Sequence, residues 1–246
     1  MCTKSGVIVK LDGQDVVAFP IKCNAWTCPD CSIERRRRLI KEAKDGNPNR
    51  FITLTVNPHW FGSPDERAAR LSKAWRLVVA AFRHRWPNRE AEYMAVFEAT
   101  KLGEPHLHIV WRGAFMPQKW LSRQMRERMG APVVDIRRIK KAADVAEYVT
   151  KYFSKRAIRF GNCKRYWRSK RYLEVSPAEA RKKRNAGCVF FRSTRHWTRY
   201  FHWIVQLGWE VTVNSYGRFW FTLPAGITHP PWWFLPEGQV CGAPPT

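Results

Sequence analysis

Tyr93-Met-Ala-Val-Phe-Glu-Ala-Thr-Lys-Leu-Gly-Glu-Pro-His-Leu-His-Ile-Val-Trp-Arg112 is the stretch of sequence that decides the fold. Two apolar runs flank a short connection containing glycine and proline, which is the pattern of two strands joined by a tight loop. Residues i and i+2 of a strand point to one face, so His106 and His108 are expected to leave the sheet together. Glu98 ends the first strand, and the hairpin is expected to bring it alongside them.

The patterns around this hairpin predict an α+β fold. From residue 51 they read as strand, helix, strand, strand, helix, strand and helix, over residues 51–57, 63–86, 93–98, 106–112, 118–129, 132–139 and 142–155. The helix after Ser63 carries a capping box and a proline at its first position, and Gly130 ends the next one. This order predicts an antiparallel sheet covered by helices, of ferredoxin-like or RNA-recognition-motif type.

The flanking regions differ from this core in character. The chain is divided into four segments: an N-terminal hairpin with a cysteine cluster and a basic helix, a core, a basic aromatic extension and a proline-rich tail, over residues 1–46, 47–156, 157–223 and 224–246. The first hairpin is expected to turn near Asp12-Gly13. A second hairpin is expected over residues 209–222, and Trp197, Phe201 and Ile204 have helical spacing.

The composition indicates a folded protein that binds a polyanion. The chain has 246 residues, 45% of them hydrophobic, and 13 are tryptophan, which excludes a disordered chain. Its 44 lysines and arginines against 20 acidic residues give a net charge of +24. Such a charge favours nucleic acid as the partner.

No apolar run is long enough to span a membrane, and the N-terminus lacks the apolar core of a signal peptide. We therefore expect no membrane partner and an intracellular location. In a reducing compartment the seven cysteines are expected to be thiols or metal ligands rather than disulfides.

Two groups of residues suggest a reaction at phosphate. Imidazoles of His106 and His108 with the carboxylate of Glu98 suit Mg²⁺ or Mn²⁺, with coordination positions left open for substrate oxygens. Tyr148 and Tyr152 are spaced to share one face of a helix. Lys151, between them, is placed to favour the phenolate form of a nucleophile.

The cysteine cluster Cys23-Asn-Ala-Trp-Thr-Cys28-Pro-Asp-Cys31 has the short spacing of a structural zinc site. The fourth ligand is left open among Cys2, Cys163, Cys188 and a histidine. The alternative is a set of buried free thiols.

Basic residues beside aromatic ones suit single-stranded DNA, because cations bind phosphates and rings stack on bases. Candidate DNA-binding residues are Arg35, Arg36, Arg37, Arg38, Lys155, Lys164, Arg165, Lys182 and Lys183. The alternative for the arginine run is a solvated helix face, and many of the aromatic residues are expected in the core.

Three ordered motifs resemble those of HUH endonucleases, in particular rolling-circle replication initiators of small single-stranded DNA phages and related plasmids. They are Phe51-Ile-Thr-Leu-Thr55, Pro105-His-Leu-His108 and Tyr148-Val-Thr-Lys-Tyr-Phe-Ser-Lys155, and the resemblance covers roughly residues 51–155. The paired tyrosines are similar to those of the microvirus initiators.

The resemblance implies that one tyrosine attacks origin DNA, presented as a single strand or a hairpin, and becomes linked to the 5′ phosphate. The free 3′ hydroxyl then primes a host polymerase, and the second tyrosine acts when the strand is rejoined. No Walker A motif is present in the sequence, so unwinding is expected from a host helicase in a bacterial cytoplasm.

Two alternatives stay open at this point. A relaxase or a single-strand transposase would use the same metal and tyrosine chemistry on another DNA substrate. A zinc-containing regulator that binds nucleic acid without catalysis would explain the charge and the cysteines, but not the histidine and tyrosine pairs.

Overall fold

The computed structural model of the chain describes residues 7–12, 15–59, 62–131, 133–141, 144–145, 147–148, 151–152, 159–186, 188–191, 194–206, 208, 210–213 and 219–222. The chain forms two compact units, one of residues Ile33–Ser176 and one of Met1–Ser32 with Pro177–Thr246. Each unit contains one five-stranded antiparallel sheet. The four segments predicted from the sequence stay a prediction.

The described strands are, in chain order, β1 (Val7–Asp12), β2 (Asp15–Pro20), β3 (Arg50–Thr55), β4 (Ala91–Ala99), β5 (Pro105–Gly113), β6 (Val134–Arg138), β7 (Tyr166–Arg168), β8 (Cys188–Phe191), β9 (Glu210–Val213) and β10 (Phe219–Thr222). The helices are α1 (Pro29–Asp45), α2 (Pro64–Arg85), α3 (Gln118–Met129), α4 (Pro177–Asn185) and α5 (Thr194–Gln206). A further set of helical residues is called the tyrosine segment below: Asp144, Val145, Glu147, Tyr148, Lys151 and Tyr152.

The sheet of the unit Ile33–Ser176 has the order β6-β3-β5-β4-β7. Along the chain, β3, α2, β4, β5, α3 and β6 follow the β-α-β-β-α-β order of ferredoxin-like folds. The predicted α+β class, an antiparallel sheet covered by helices, is confirmed. The short strand β7 adds a fifth strand beside β4, which the sequence patterns did not predict.

One face of this sheet packs on α2 and α3 to form the main core. Leu107, Ile109 and Trp111 of β5 are fully buried there, together with Trp75 of α2 and Leu121 of α3. The predicted helix signals are present: Ser63 and Glu66 form a capping box at the start of α2, and Gly130 ends α3 in the left-handed conformation.

The opposite face of the sheet carries the alternate residues of each strand. Ala43 of α1 lines a small cavity there, together with Met94, Val96, His108, Val110, Tyr148 and Tyr152. Leu39 and Ala43 of α1 are fully buried. This face therefore holds both the predicted metal ligands and the predicted nucleophiles.

The second unit has a sheet of order β8-β1-β2-β10-β9. The hairpin expected near Asp12-Gly13 is present as β1 and β2, and the later hairpin as β9 and β10. Trp197 and Phe201 are both in α5, with ring centroids 5.9 Å apart.

The predicted proline-rich tail lies outside the residues that the structure describes. In the described part of the chain, no helix combines the length and apolar character needed to cross a bilayer.

Candidate active site

The hairpin of β4 and β5 places a carboxylate beside two imidazoles. Glu98 is paired directly with His106, and Val96 with His108. Directly paired residues lie on one face of a sheet, so Glu98, His106 and His108 share a face. Oε2 of Glu98 lies 2.8 Å from Nε2 of His108, with the two side chains only 10% and 5% exposed. The ring centroids of the two histidines are 6.1 Å apart.

Both tyrosines contact one of these histidines. The Tyr148 hydroxyl lies 3.1 Å from Nδ1 of His108. The Tyr152 ring is stacked on the His108 ring, with centroids 3.6 Å apart and planes at 20°. The two tyrosine rings are 4.7 Å apart. The structure thus brings the predicted ligands and the predicted nucleophiles together.

Two residues of β3 contact Tyr148, and sequence reasoning gave neither of them a role. The Phe51 ring is stacked on the Tyr148 ring at 3.8 Å and 19°. Oγ1 of Thr53 lies 3.1 Å from the Tyr148 hydroxyl and 3.3 Å from Nδ1 of His108. One signal was readable in the sequence: threonine is a polar residue within an otherwise apolar strand run.

Burial raises the pKa of the Tyr148 hydroxyl above its ordinary value of 10.0, although the hydrogen bond with Thr53 acts in the opposite direction. The neutral phenol is therefore the resting form of Tyr148 at neutral pH. Its oxygen becomes a good nucleophile only where neighbouring positive charge favours loss of the proton.

Lys151 is an exposed residue close to the second tyrosine. Its Nζ lies 5.9 Å from the centroid of the Tyr152 ring. A positive charge at this distance favours the phenolate over the phenol. The expected position of Lys151 beside the tyrosines agrees with this geometry.

The chemistry of the donor set at Glu98, His106 and His108 fits a divalent ion, because it combines one carboxylate with two imidazoles. Within the described residues, the three cysteines are the one group of at least three His, Cys, Asp or Glu whose ligand atoms all lie within 4.8 Å. The Glu98 and histidine donors do not meet that distance together. One ion held by all three therefore requires a side chain to rotate.

The cysteine group itself has the geometry of a metal site. Sγ of Cys23 lies 3.5 Å from Sγ of Cys31, and the backbone N–H of Ala25 donates to the Cys23 sulfur at 3.4 Å. Cys31 lies in the first turn of α1 and is buried. Three converging thiols of this kind could hold a metal such as zinc. Of the proposed fourth ligands, Cys188 is described and is not part of the group, whereas Cys2 lies outside the described residues.

The candidate DNA-binding residues fall into different environments. Arg37, Arg38, Lys164, Lys182 and Lys183 are exposed, and Lys155 lies outside the described residues. The Arg35 guanidinium lies over the ring of Tyr166, 5.9 Å from its centroid. Burial and the nearby charges of Arg36 and Arg35 lower the pKa of Arg165 to about 10. Like charges gathered in this way favour binding of an anion.

Arg165 lies next to the predicted metal ligands along the sheet. Its carbonyl oxygen accepts a hydrogen bond of 2.8 Å from the backbone N–H of Phe97, the residue before Glu98.

Comparison with known proteins gives one match. Residues 49–157 match the model of a family described as Replication-associated protein ORF2. This range includes Glu98, both histidines and both tyrosines of the site. Searches of curated proteins and of solved structures gave no match.

Proposed function

We propose that this protein initiates and terminates rolling-circle replication by nicking and rejoining single-stranded origin DNA through a tyrosine. The observation that carries the proposal is the contact of His108 with Glu98 on one side and with both tyrosines on the other. The match to a replication-associated family over the same residues supports it.

The reaction is an exchange of ester bonds at phosphorus. The hydroxyl oxygen of Tyr148 or Tyr152 attacks the scissile phosphate and loses its proton. The bond between phosphorus and the 3′ oxygen breaks, and that oxygen leaves as a hydroxyl after taking up a proton. The 5′ phosphate is then esterified to the tyrosine.

Residues of the sheet would hold a divalent ion in this reaction. Glu98, His106 and His108 are its ligands in the proposal, and Mg²⁺ or Mn²⁺ bound there would polarise the phosphate and stabilise its developing charge. Lys151 favours the phenolate of a neighbouring tyrosine.

Rejoining runs the same exchange backwards. The energy of the phosphodiester bond is kept in the tyrosyl ester, so the reaction needs no nucleotide. A second tyrosine allows a new cut while the first ester is resolved. The free 3′ hydroxyl is used by a host polymerase, and a host helicase unwinds the duplex.

The basic residues named above are proposed to bind the DNA strand. Arg35, Arg36 and Arg165 lie closest in the chain's fold to Glu98 through β7, so they are proposed to bind phosphates near the cleavage position. Lys164, Lys182, Lys183, Arg37, Arg38 and Lys155 are proposed to add sequence-independent contacts. The cysteine group is proposed to bind structural zinc.

An adduct assay tests the proposed function. The protein is incubated with labelled single-stranded origin DNA and Mn²⁺, then denatured. We expect a labelled protein–DNA adduct that chelator prevents. Tyr148→Phe and Tyr152→Phe should each alter the reaction, and the double variant should form no adduct.

The outcomes separate the alternatives. An adduct in the double Phe variant would exclude these tyrosines as nucleophiles. Reversible, salt-sensitive retention of DNA without any adduct would instead identify a zinc-containing regulator. Cleavage of transfer-origin or transposon-end DNA, but not of replication-origin DNA, would identify a relaxase or a single-strand transposase.

A further inference from the structure

The first sequence motif, Phe51-Ile-Thr-Leu-Thr55, has no role in the proposed function, yet its side chains reach the site. In β3, Ile52 and Leu54 belong to the buried core under α2 and α3. Because strand residues alternate between faces, Phe51 and Thr53 point to the opposite face. That is the face on which Tyr148 lies.

These two residues hold Tyr148 by two different contacts. The Phe51 ring covers the Tyr148 ring in a stacked arrangement. Thr53 meets the Tyr148 hydroxyl at 3.1 Å and Nδ1 of His108 at 3.3 Å, and His108 meets the same hydroxyl at 3.1 Å. Three polar atoms thus form a closed triangle that fixes the phenolic oxygen beside the predicted ligand.

Tyr152 is held differently. Its ring is stacked on the His108 ring, and it lies close to Lys151, which is exposed. The contacts of the two tyrosines are therefore not equivalent, although both belong to the same helical face.

We propose that Phe51 and Thr53 form a seat for Tyr148, and that Thr53 is the positioning residue which orients the Tyr148 hydroxyl for attack. The catalytic part of this inference rests on the proposed function. A threonine hydroxyl can donate to one partner and accept from another, so it suits a position between a phenol and an imidazole. The consequence is that the two tyrosines depend differently on β3.

The experiment compares Thr53→Val in two single-tyrosine backgrounds. With Tyr152→Phe, only Tyr148 can attack, and Thr53→Val should lower the rate of adduct formation about tenfold, which is the effect of one lost hydrogen bond. With Tyr148→Phe, only Tyr152 can attack, and the loss should be less than about threefold. Valine keeps the shape of threonine without its hydroxyl.

Thr53→Ser is the matched control, because it keeps the hydroxyl and removes only a methyl group. In the Tyr152→Phe background it should recover most of the rate that Thr53→Val loses. Equal losses in both backgrounds, or no recovery with serine, would overturn the positioning role, since either result would point to a general effect on β3 or on His108.

A second measurement does not depend on catalysis. In urea unfolding, Thr53→Val and Tyr148→Phe remove opposite ends of the same hydrogen bond, so their effects should be non-additive by about fivefold in the unfolding equilibrium constant. Thr53→Val and Tyr152→Phe should be nearly additive.

The two readouts separate the inference from the proposed function. If the wild-type protein forms no adduct, the proposed function fails, and the unfolding cycle still decides whether Thr53 holds Tyr148. Additive effects of Thr53→Val and Tyr148→Phe would overturn the seat whatever the adduct assay shows.

Discussion

At the scale of single residues, Tyr172 shows how a buried hydroxyl makes a fold sensitive to pH. Its side chain is fully buried, and its hydroxyl donates to the carbonyl oxygen of Ala43 at 2.8 Å. Gly46 makes this packing feasible, because a Cβ there would overlap the tyrosine ring. Burial raises the pKa of Tyr172 above its ordinary value of 10.0.

This raised pKa predicts a loss of stability in alkali. Below pH 10 the hydroxyl is protonated in both the folded and the unfolded chain, so the stability is complete. Above pH 10 the unfolded chain releases the proton and the folded chain keeps it, so the free energy of unfolding falls by up to about 1.4 kcal/mol per pH unit.

Tyr172→Phe should flatten that fall in urea unfolding measured between pH 9 and 11.5. At neutral pH the same variant should lose about 1 kcal/mol with the hydrogen bond to Ala43. Adding Tyr148→Phe should flatten the fall further, because burial raises the pKa of Tyr148 as well. An alkaline slope equal to that of the wild type would contradict the prediction.

At the scale of elements, the sequence predicted most of the fold around the site. Strands with clear apolar runs, such as β3 and β5, and helices with strong end signals, such as α2 and α3, were predicted close to their bounds. The predicted histidine face followed from strand geometry alone. The three-residue strand β7 was missed, because Tyr166-Trp-Arg168 is too short to show alternation.

Contacts between distant elements were beyond the reach of sequence patterns. Thr53 and Tyr148 are 95 residues apart, and their hydrogen bond depends on the order of strands in the sheet. Arg67 and Glu104 form a second such contact. The Arg67 guanidinium binds both carboxylate oxygens of Glu104 at 2.6 Å, with side chains 6% and 14% exposed.

This buried pair ties α2 to the connection between β4 and β5. Arg67→Met should lower the free energy of unfolding by about 3 kcal/mol, because it leaves a buried carboxylate without its main partner. The double variant Arg67→Met with Glu104→Met should be more stable than the single variant.

Urea unfolding measures both effects, and Lys41→Met provides the control. Lys41 pairs with Asp45 on the surface, with side chains 74% and 50% exposed, so its loss should cost less than about 1 kcal/mol. A loss for Arg67→Met as small as the loss for Lys41→Met would show that the buried pair contributes little.

At the scale of the whole molecule, the two units carry different predicted metal sites. The cysteine group belongs to the unit of Met1–Ser32 with Pro177–Thr246, whereas Glu98, His106 and His108 belong to Ile33–Ser176. A zinc chelator and a competitor for Mg²⁺ should therefore affect different parts of the chain.

Hydrogen exchange measured by mass spectrometry tests this separation. The purified protein should contain about one zinc per chain, and removing it should speed exchange in β1 and β2 far more than in β3 and β5. Adding back zinc, but not magnesium, should restore protection. A zinc content near zero, or equal changes in all four strands, would contradict a structural zinc in the cysteine group.

The hairpin of β4 and β5 also determines where this chain tolerates insertions. Glu98 and His106 are a directly paired couple close to the end of the ladder, and the turn beyond them lies at residues 101–103. Added residues in that turn leave the pairing unchanged. A slip of one residue in the pairing would turn both imidazoles towards the helices and abolish the donor set in one step. Length can therefore vary at the tip of the hairpin, whereas its alignment cannot.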